Sequence, residues 1–246
     1  TKPCHFRLSH EFVVKNMTTK PLLQEKSSIR IIFWICIAEI LTMQGVFTFS
    51  SMLPFFLAEW KLDSIEAGWI SGIYYGSYMI SVMILVSLTD WIDAKRIYII
   101  GVLITLISCI GFALFVEGYW SAMLFRTLGG IGLAGTYMPG LKALTDRLSG
   151  TSRVRATSFY TSSFGIGSAL SFLIGGSILK WFPWQIAFWI AGLCALLALL
   201  IVSKVFENRP NRVGSRSGLR SLDFRPVIRN SNVMGWIACY TTHNYE

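Results

Sequence analysis

The chain has 246 residues, 53% of them hydrophobic and only 14% charged, with a formal net charge of +9 and a mean hydropathy of +0.55. Soluble domains carry about 25% charged residues, so this composition excludes an ordinary one. The five cysteines, Cys4, Cys36, Cys109, Cys194 and Cys239, include no C-x-x-C pair; they read as small apolar side chains, and neither a disulfide framework nor a metal or other cofactor is expected.

Residues 1–28 form a basic tail. Met17 opens a more usual cytoplasmic start than Thr1, so residues 1–16 read as an upstream extension. The first apolar stretch is too long for a cleaved signal and has no small-residue cleavage pattern after it. Six apolar stretches then run from Ile29 to Met52, Ala67 to Leu88, Ile97 to Val116, Trp120 to Leu144, Thr157 to Leu179 and Trp184 to Val205. Each supplies the ~20 residues at ~1.5 Å rise that a helix needs to cross a ~30 Å hydrocarbon core. A backbone in lipid must satisfy its own hydrogen bonds, which a single stretch can do only as a helix. The expected fold is therefore all-α: a polytopic six-helix bundle over residues 29–205, then a basic cytoplasmic loop over 206–230. In that loop Leu219, Leu222 and Phe224 suit a short helix lying on the lipid surface. Residues 231–246 read as a seventh span cut short.

Lys and Arg orient the bundle. Six lie before span 1 or at its start, Lys95 and Arg96 lie between spans 2 and 3, four lie at the end of span 4 or after it, and seven at the end of span 6 or after it. These nineteen face only Lys61 and Lys180 on the other side, while Arg126 lies within a span. An asymmetry of this kind places the N-terminus and the central loop in the cytoplasm. The positive charge is thus a topology signal, and no nucleic-acid partner is expected.

Glu39 is the only carboxylate within the six spans, about nine residues in from the cytoplasmic end of span 1, or ~14 Å at helical rise. An ionised carboxylate at that depth costs several kcal/mol, so Glu39 is a candidate for proton coupling or substrate contact; the alternative is a structural glutamate bonded to nearby hydroxyls. Arg126, beside Gly129, Gly130 and Gly132, either faces a cavity or serves close packing. His243 and Glu246 stand at i, i+3 on one face of the seventh segment and suit proton coupling, unless they are simply a wet chain end. Gly72 and Gly76 form a small-xxx-small pair expected to pack span 2 on a neighbour, with Tyr74, Tyr75 and Tyr78 near the cavity. Ser177-Ile-Leu-Lys180 matches S-x-x-K without companion motifs, and no catalytic triad appears, so no enzyme is expected.

Local motifs carry a resemblance. Val86-Ser-Leu-Thr-Asp90-Trp-Ile-Asp93-Ala-Lys95-Arg96 is similar to the G-x-L-x-D-R-x-G-R-[RK]-[RK] loop of the major facilitator superfamily at Leu88, Asp90, Lys95 and Arg96. Arg126-Thr-Leu-Gly129-Gly130-Ile-Gly132 is similar to that family's R-x-x-x-G-x-G pattern in span 4. Span 5 matches its G-x-x-x-G-P-x-x-G-G signature at Gly167, Gly175 and Gly176, with Ser171 and Phe172 in place of Gly-Pro. The chain thus resembles the N-terminal half of such a transporter, over residues 29–246. Phe159-Tyr160-Thr161 and the Tyr240 to Glu246 segment look most like the small-anion and metabolite branch.

The resemblance implies two inverted three-helix repeats, with spans 1, 4 and 7 lining a midplane cavity. Arg126 would handle protons or an anion there, roughly 8 Å in depth from Glu39. It implies a gating role for Asp90, Lys95 and Arg96, Asp90 meeting span 11 of the opposite bundle or, without it, pairing with Lys95 or Arg96. Ser162, Ser163, Gly165, Gly167, Ser168 and Gly175 would form a small-residue surface for that second bundle. The expected function is proton-coupled symport of a small polar or anionic solute across the bacterial inner membrane. The expected partners are that solute, protons, membrane lipid and the C-terminal half. The alternative is a truncated half that transports nothing by itself.

Overall fold

The computed structural model describes residues 28–206 and 229–243, and those residues are helical, with no strand among them. The readings made for the N-terminal tail, for the lipid-surface helix of the central loop and for Glu246 lie outside the described residues.

The first helix, α1, covers residues 28–42. A 3₁₀ turn follows at Met43–Gly45, then two short helices, α2 (Thr48–Ser51) and α3 (Leu53–Glu59). The single span expected from Ile29 to Met52 is therefore broken in its middle. The long helices are α4 (Ser64–Leu88), α5 (Ala94–Phe115), α6 (Tyr119–Thr145), α7 (Gly150–Ile178) and α8 (Gln185–Val205). Five segments are long and apolar enough to cross a membrane: Ser28–Gly45, α4, α5, α7 and α8. At 27 residues α6 is also long enough, but its glycines and Arg126 make it less apolar.

Polar caps set where α4 and α5 begin, ahead of the apolar runs. Asp63 accepts from the Glu66 amide at 2.7 Å while Glu66 accepts from the Asp63 amide at 3.0 Å, a capping box that satisfies two amides the helix leaves free. Asp93 accepts from the Lys95 amide at 3.1 Å and starts α5 at Ala94. Helix α7 begins at Gly150 rather than Thr157, because hydropathy marks the edge of the hydrocarbon and not the end of hydrogen bonding.

The helices α5 and α6 form the centre. They touch through backbone: a Cβ on Gly101 would lie 2.5 Å from the carbonyl carbon of Gly135. The core divides into three clusters. One end joins Ile35, Tyr98, Tyr160, Val202 and Phe206; the other is an aromatic group of Phe49, Phe56, Phe112, Trp184 and Phe188, with Phe112 stacked on Phe188 at 4.1 Å. Between them lie Met43, Val46, Tyr74 and Leu133. Large apolar side chains such as Trp69, Met79, Ile84, Phe172 and Leu173 remain exposed, as suits helices whose solvent is lipid.

Several expected contacts fall elsewhere. Gly72, Gly76 and Gly176 have no atom within 4 Å of a Cβ built on them, so none of the three is a packing glycine in this bundle. In α7, Ser163, Gly167, Ser171 and Gly175 are buried at four-residue spacing, and a Cβ on Gly167 or Gly175 would strike Met43 or Ser51. Those small residues serve the broken first span, which leaves Ser162 and Gly165 exposed.

Asp90 does not pair with Lys95 or Arg96. It forms an ion pair with Lys142 at 2.6 Å. Lys95 instead donates to the carbonyls of Phe206 and, at 3.4 Å, Ser203. The last carbonyls of α8 lack helical partners and carry partial negative charge, which draws the ammonium towards them. Arg147 completes this end, 3.7 Å from Asp93 and stacked 4.5 Å over Phe206.

Residues 211–246 form a separate unit, whose described part contains α9 (Ser231–His243). The Asn230 side chain accepts from the amides of Asn232 and Val233 and caps this helix; Met234, Trp236 and Ile237 are exposed.

Candidate functional site

The site is built on the break in the first span. The run Thr42-Met-Gln-Gly-Val-Phe-Thr48 is unusually polar for a membrane helix, and a Cβ on Gly45 would lie 2.7 Å from the Cys109 sulfur. A broken helix in a bundle core leaves backbone groups that protein must satisfy. Ser171 of α7 does much of this, its hydroxyl donating to the Gln44 carbonyl at 2.6 Å and accepting from the Phe47 amide at 3.1 Å. Thr48 also donates to the Gln44 carbonyl at 2.6 Å, and Arg126 donates through Nη1 to the Val46 carbonyl at 3.2 Å.

Removing the Ser171 hydroxyl is therefore expected to orphan the Phe47 amide. Ser171→Ala should cost about 1–3 kcal/mol, read as a lower melting temperature of the purified bundle, whereas Ser162→Ala on the exposed face should leave it unchanged.

Glu39 lies one turn before the break and is completely buried. Its Oε2 accepts from the Tyr160 hydroxyl at 2.7 Å and lies 3.5 Å from that of Thr42. The other oxygen, Oε1, has no protein partner. The Tyr160 hydroxyl also lies 3.4 Å from the Thr136 carbonyl, and the Tyr160 ring stacks on Tyr137 at 5.9 Å.

Arg126 lies on the other side of the break, 2% exposed. Its guanidinium stands 4.0 Å over the Tyr74 ring and 5.4 Å from that of Phe49. Nε and Nη2 have no protein partner. Arg126 also lines a water-sized cavity, with Thr42, Tyr74, Thr105, Ser108 and Phe112 among its other walls. Three glycines let neighbouring helices approach beside it: a Cβ on Gly129, Gly130 or Gly132 would come within 2.8 Å of Tyr74, Tyr74 and Ser77, or Thr105 respectively.

Glu39 and Arg126 form no ion pair: hydroxyls of Thr42 and Tyr160 hold Glu39, and the Val46 carbonyl and the Tyr74 ring hold Arg126. Asp90, Lys95 and Arg96 lie at the far end of α4 and α5, away from this centre. His243 ends α9 in the separate unit.

The profile of the Major Facilitator Superfamily matches residues 35–243. The chain belongs to this superfamily. It is 27% identical over 208 residues to the probable 4-methylmuconolactone transporter of Cupriavidus pinatubonensis, a match covering 80% of this chain and 48% of that protein. It is 29% identical over 179 residues to the uncharacterized MFS-type transporter YcaD of Salmonella arizonae, covering 71% of this chain and 46% of the relative. The corresponding protein of Escherichia fergusonii is 27% identical over 167 residues. The chain spans about half the length of the curated relatives it matches. Membership in the superfamily, together with helices long and apolar enough to span a bilayer, makes it a multi-pass membrane protein.

Sequence reasoning missed Tyr160 and Ser171 as parts of this centre. Each is over a hundred residues from its partner in the first span, a separation no local pattern reports. The break itself had a signal, since Gln44 and Gly45 between two threonines are poor material for a continuous lipid-facing helix.

Proposed function

We propose that this bundle is the N-terminal half of a proton-coupled secondary transporter that carries a small polar or anionic solute by alternating access together with a second bundle. Glu39 carries the reading. It is fully buried, and among the described residues it has hydroxyl partners and no cationic one. A bare carboxylate so placed is expensive. The Tyr160 hydroxyl has one proton and two acceptors within reach, Glu39 Oε2 and the Thr136 carbonyl. Protonated Glu39 resolves this by donating to Tyr160, which then donates to Thr136. Losing that proton would require Glu39 to meet water, which is what an alternating-access cycle supplies. Arg126 provides the positive charge for the solute, and the Asp90–Lys142 pair belongs to the cytoplasmic gate. A relative named for a lactone is consistent with a small organic metabolite.

The test is proton movement. In proteoliposomes holding this chain with a complementary bundle, adding solute outside at zero membrane potential should alkalinise the medium in step with uptake. Uptake without any proton movement would exclude the symport reading.

We assign both ends of the bundle to the cytoplasm on the nineteen-to-two distribution of Lys and Arg, and the protein to a bacterial inner membrane on its similarity to bacterial relatives. Single cysteines placed at Lys61 and Lys180 in a cysteine-free background are expected to react with an impermeant maleimide from outside intact cells. Cysteines at the exposed positions Arg96 and Arg153 should react only after lysis. Outside labelling at Arg153 would sink the orientation.

A further inference from the structure

We infer that the free edge of Arg126 is a binding site for a carboxylate group, which narrows the solute class to small organic acids. The inference rests on the proposed role of Arg126 as the cation of the transport cavity, and its own ground is the state of the guanidinium.

A guanidinium has five N–H donors in one rigid plane. In Arg126 the Nη1 side is fixed by the Val46 carbonyl at 3.2 Å, and one ring face is covered by Tyr74 at 4.0 Å. What remains is the edge formed by Nε and Nη2, both buried and both without a protein partner. On that edge two N–H bonds run parallel, the geometry that takes both oxygens of a carboxylate at once.

The cavity that Arg126 lines contains no acidic side chain, so the buried cation lacks a counter-charge there, a costly arrangement that an incoming anion relieves. The nearby threonine and serine hydroxyls do not supply competing donors. Thr105 donates to the Gly101 carbonyl at 3.0 Å, Ser108 to that of Phe125 at 2.7 Å and Thr42 to that of Glu39 at 2.9 Å. Phe112, Leu133 and Phe188 complete the wall with apolar surface. A site with one two-pronged donor, little room and apolar sides selects a small planar head group over a hydrated tetrahedral anion. In this conformation the space is that of about one water, so gripping both oxygens requires the cavity walls to open, as alternating access supplies.

The 246-residue chain in lipid nanodiscs can be titrated with sodium formate, sodium chloride and formamide at constant ionic strength, following the melting temperature. Formate is expected to raise it saturably. Chloride, a single point of charge, and formamide, planar but neutral, should each give an affinity at least about tenfold weaker. Arg126→Lys keeps the charge but loses the fork and should weaken formate at least about tenfold. Should that variant not fold, the ranking of the three probes on the wild-type chain decides. Formate binding no tighter than chloride, or unchanged in a folded Arg126→Lys, overturns the site. Ser162→Ala, on the exposed face of α7, should leave formate binding intact; loss of formate binding there would overturn the assignment to Arg126. Absence of proton movement with formate binding retained would instead overturn the symport reading and leave this site standing.

Discussion

Replacing Glu39 by Gln in a two-bundle transporter containing this chain is expected to abolish proton-driven uptake while sparing exchange of solute across the membrane. The amide keeps the size and planarity of the carboxyl group. Its NH2 can donate to the Tyr160 oxygen as the protonated acid would, so the buried contacts at 2.7 Å and 3.5 Å have substitutes. What Gln cannot do is release and take up a proton. Concentrative uptake driven by a pH gradient should fall about 100-fold or more, the scale on which a positioned acid or base contributes. Counterflow, which needs solute movement in both directions but no net proton, should stay close to the wild-type rate. Concentrative uptake at wild-type rates in Glu39→Gln would leave Glu39 as a structural residue bonded to hydroxyls. Loss of both activities together with a lowered melting temperature would say the same. Tyr160→Phe offers a check of intermediate size, since it removes the hydroxyl that links Glu39 to Thr136 without touching the titrating group.

The second large effect is expected at Gly130. A Cβ there would lie 2.1 Å from both the Ser77 hydroxyl oxygen and the Tyr74 carbonyl oxygen. Ser77 can rotate away, but the Tyr74 carbonyl is backbone of α4, so α4 and α6 must separate by more than an ångström to admit a methyl group. Overpacking of this kind costs about 1–3 kcal/mol. The cost should be amplified functionally, because Tyr74 is the ring beneath the Arg126 guanidinium. Gly130→Ala is therefore expected to lower the melting temperature and to weaken any ligand held by Arg126. Gly176→Ala, with nothing within 4 Å, should leave ligand binding unchanged in the isolated chain and, by replacing a helical glycine with alanine, raise the melting temperature slightly. Equal melting temperatures for the two variants would refute the close α4–α6 approach.

Class and span positions were legible in the residues themselves, because both depend on a one-dimensional quantity, the length of apolar runs; the proposed orientation rests on another, the alternation of Lys and Arg between loops. Helix α4 ends at Leu88 as its apolar run does, and the caps at Asp63 and Asp93 only move helix starts by a few residues. Glu39 and Arg126 also stood out in the sequence, since a charge in an apolar run is visible without any fold. Their surroundings were decided by tertiary structure alone. The first span breaks at Met43–Gly45 because Ser171 and Arg126, from two other helices, satisfy the backbone it exposes. Asp90 finds Lys142 instead of its neighbours because the α5 cap aims Lys95 at the end of α8. The glycines divide the same way: Gly130 and Gly176 look alike in sequence, and only the position of Tyr74 makes the first one irreplaceable.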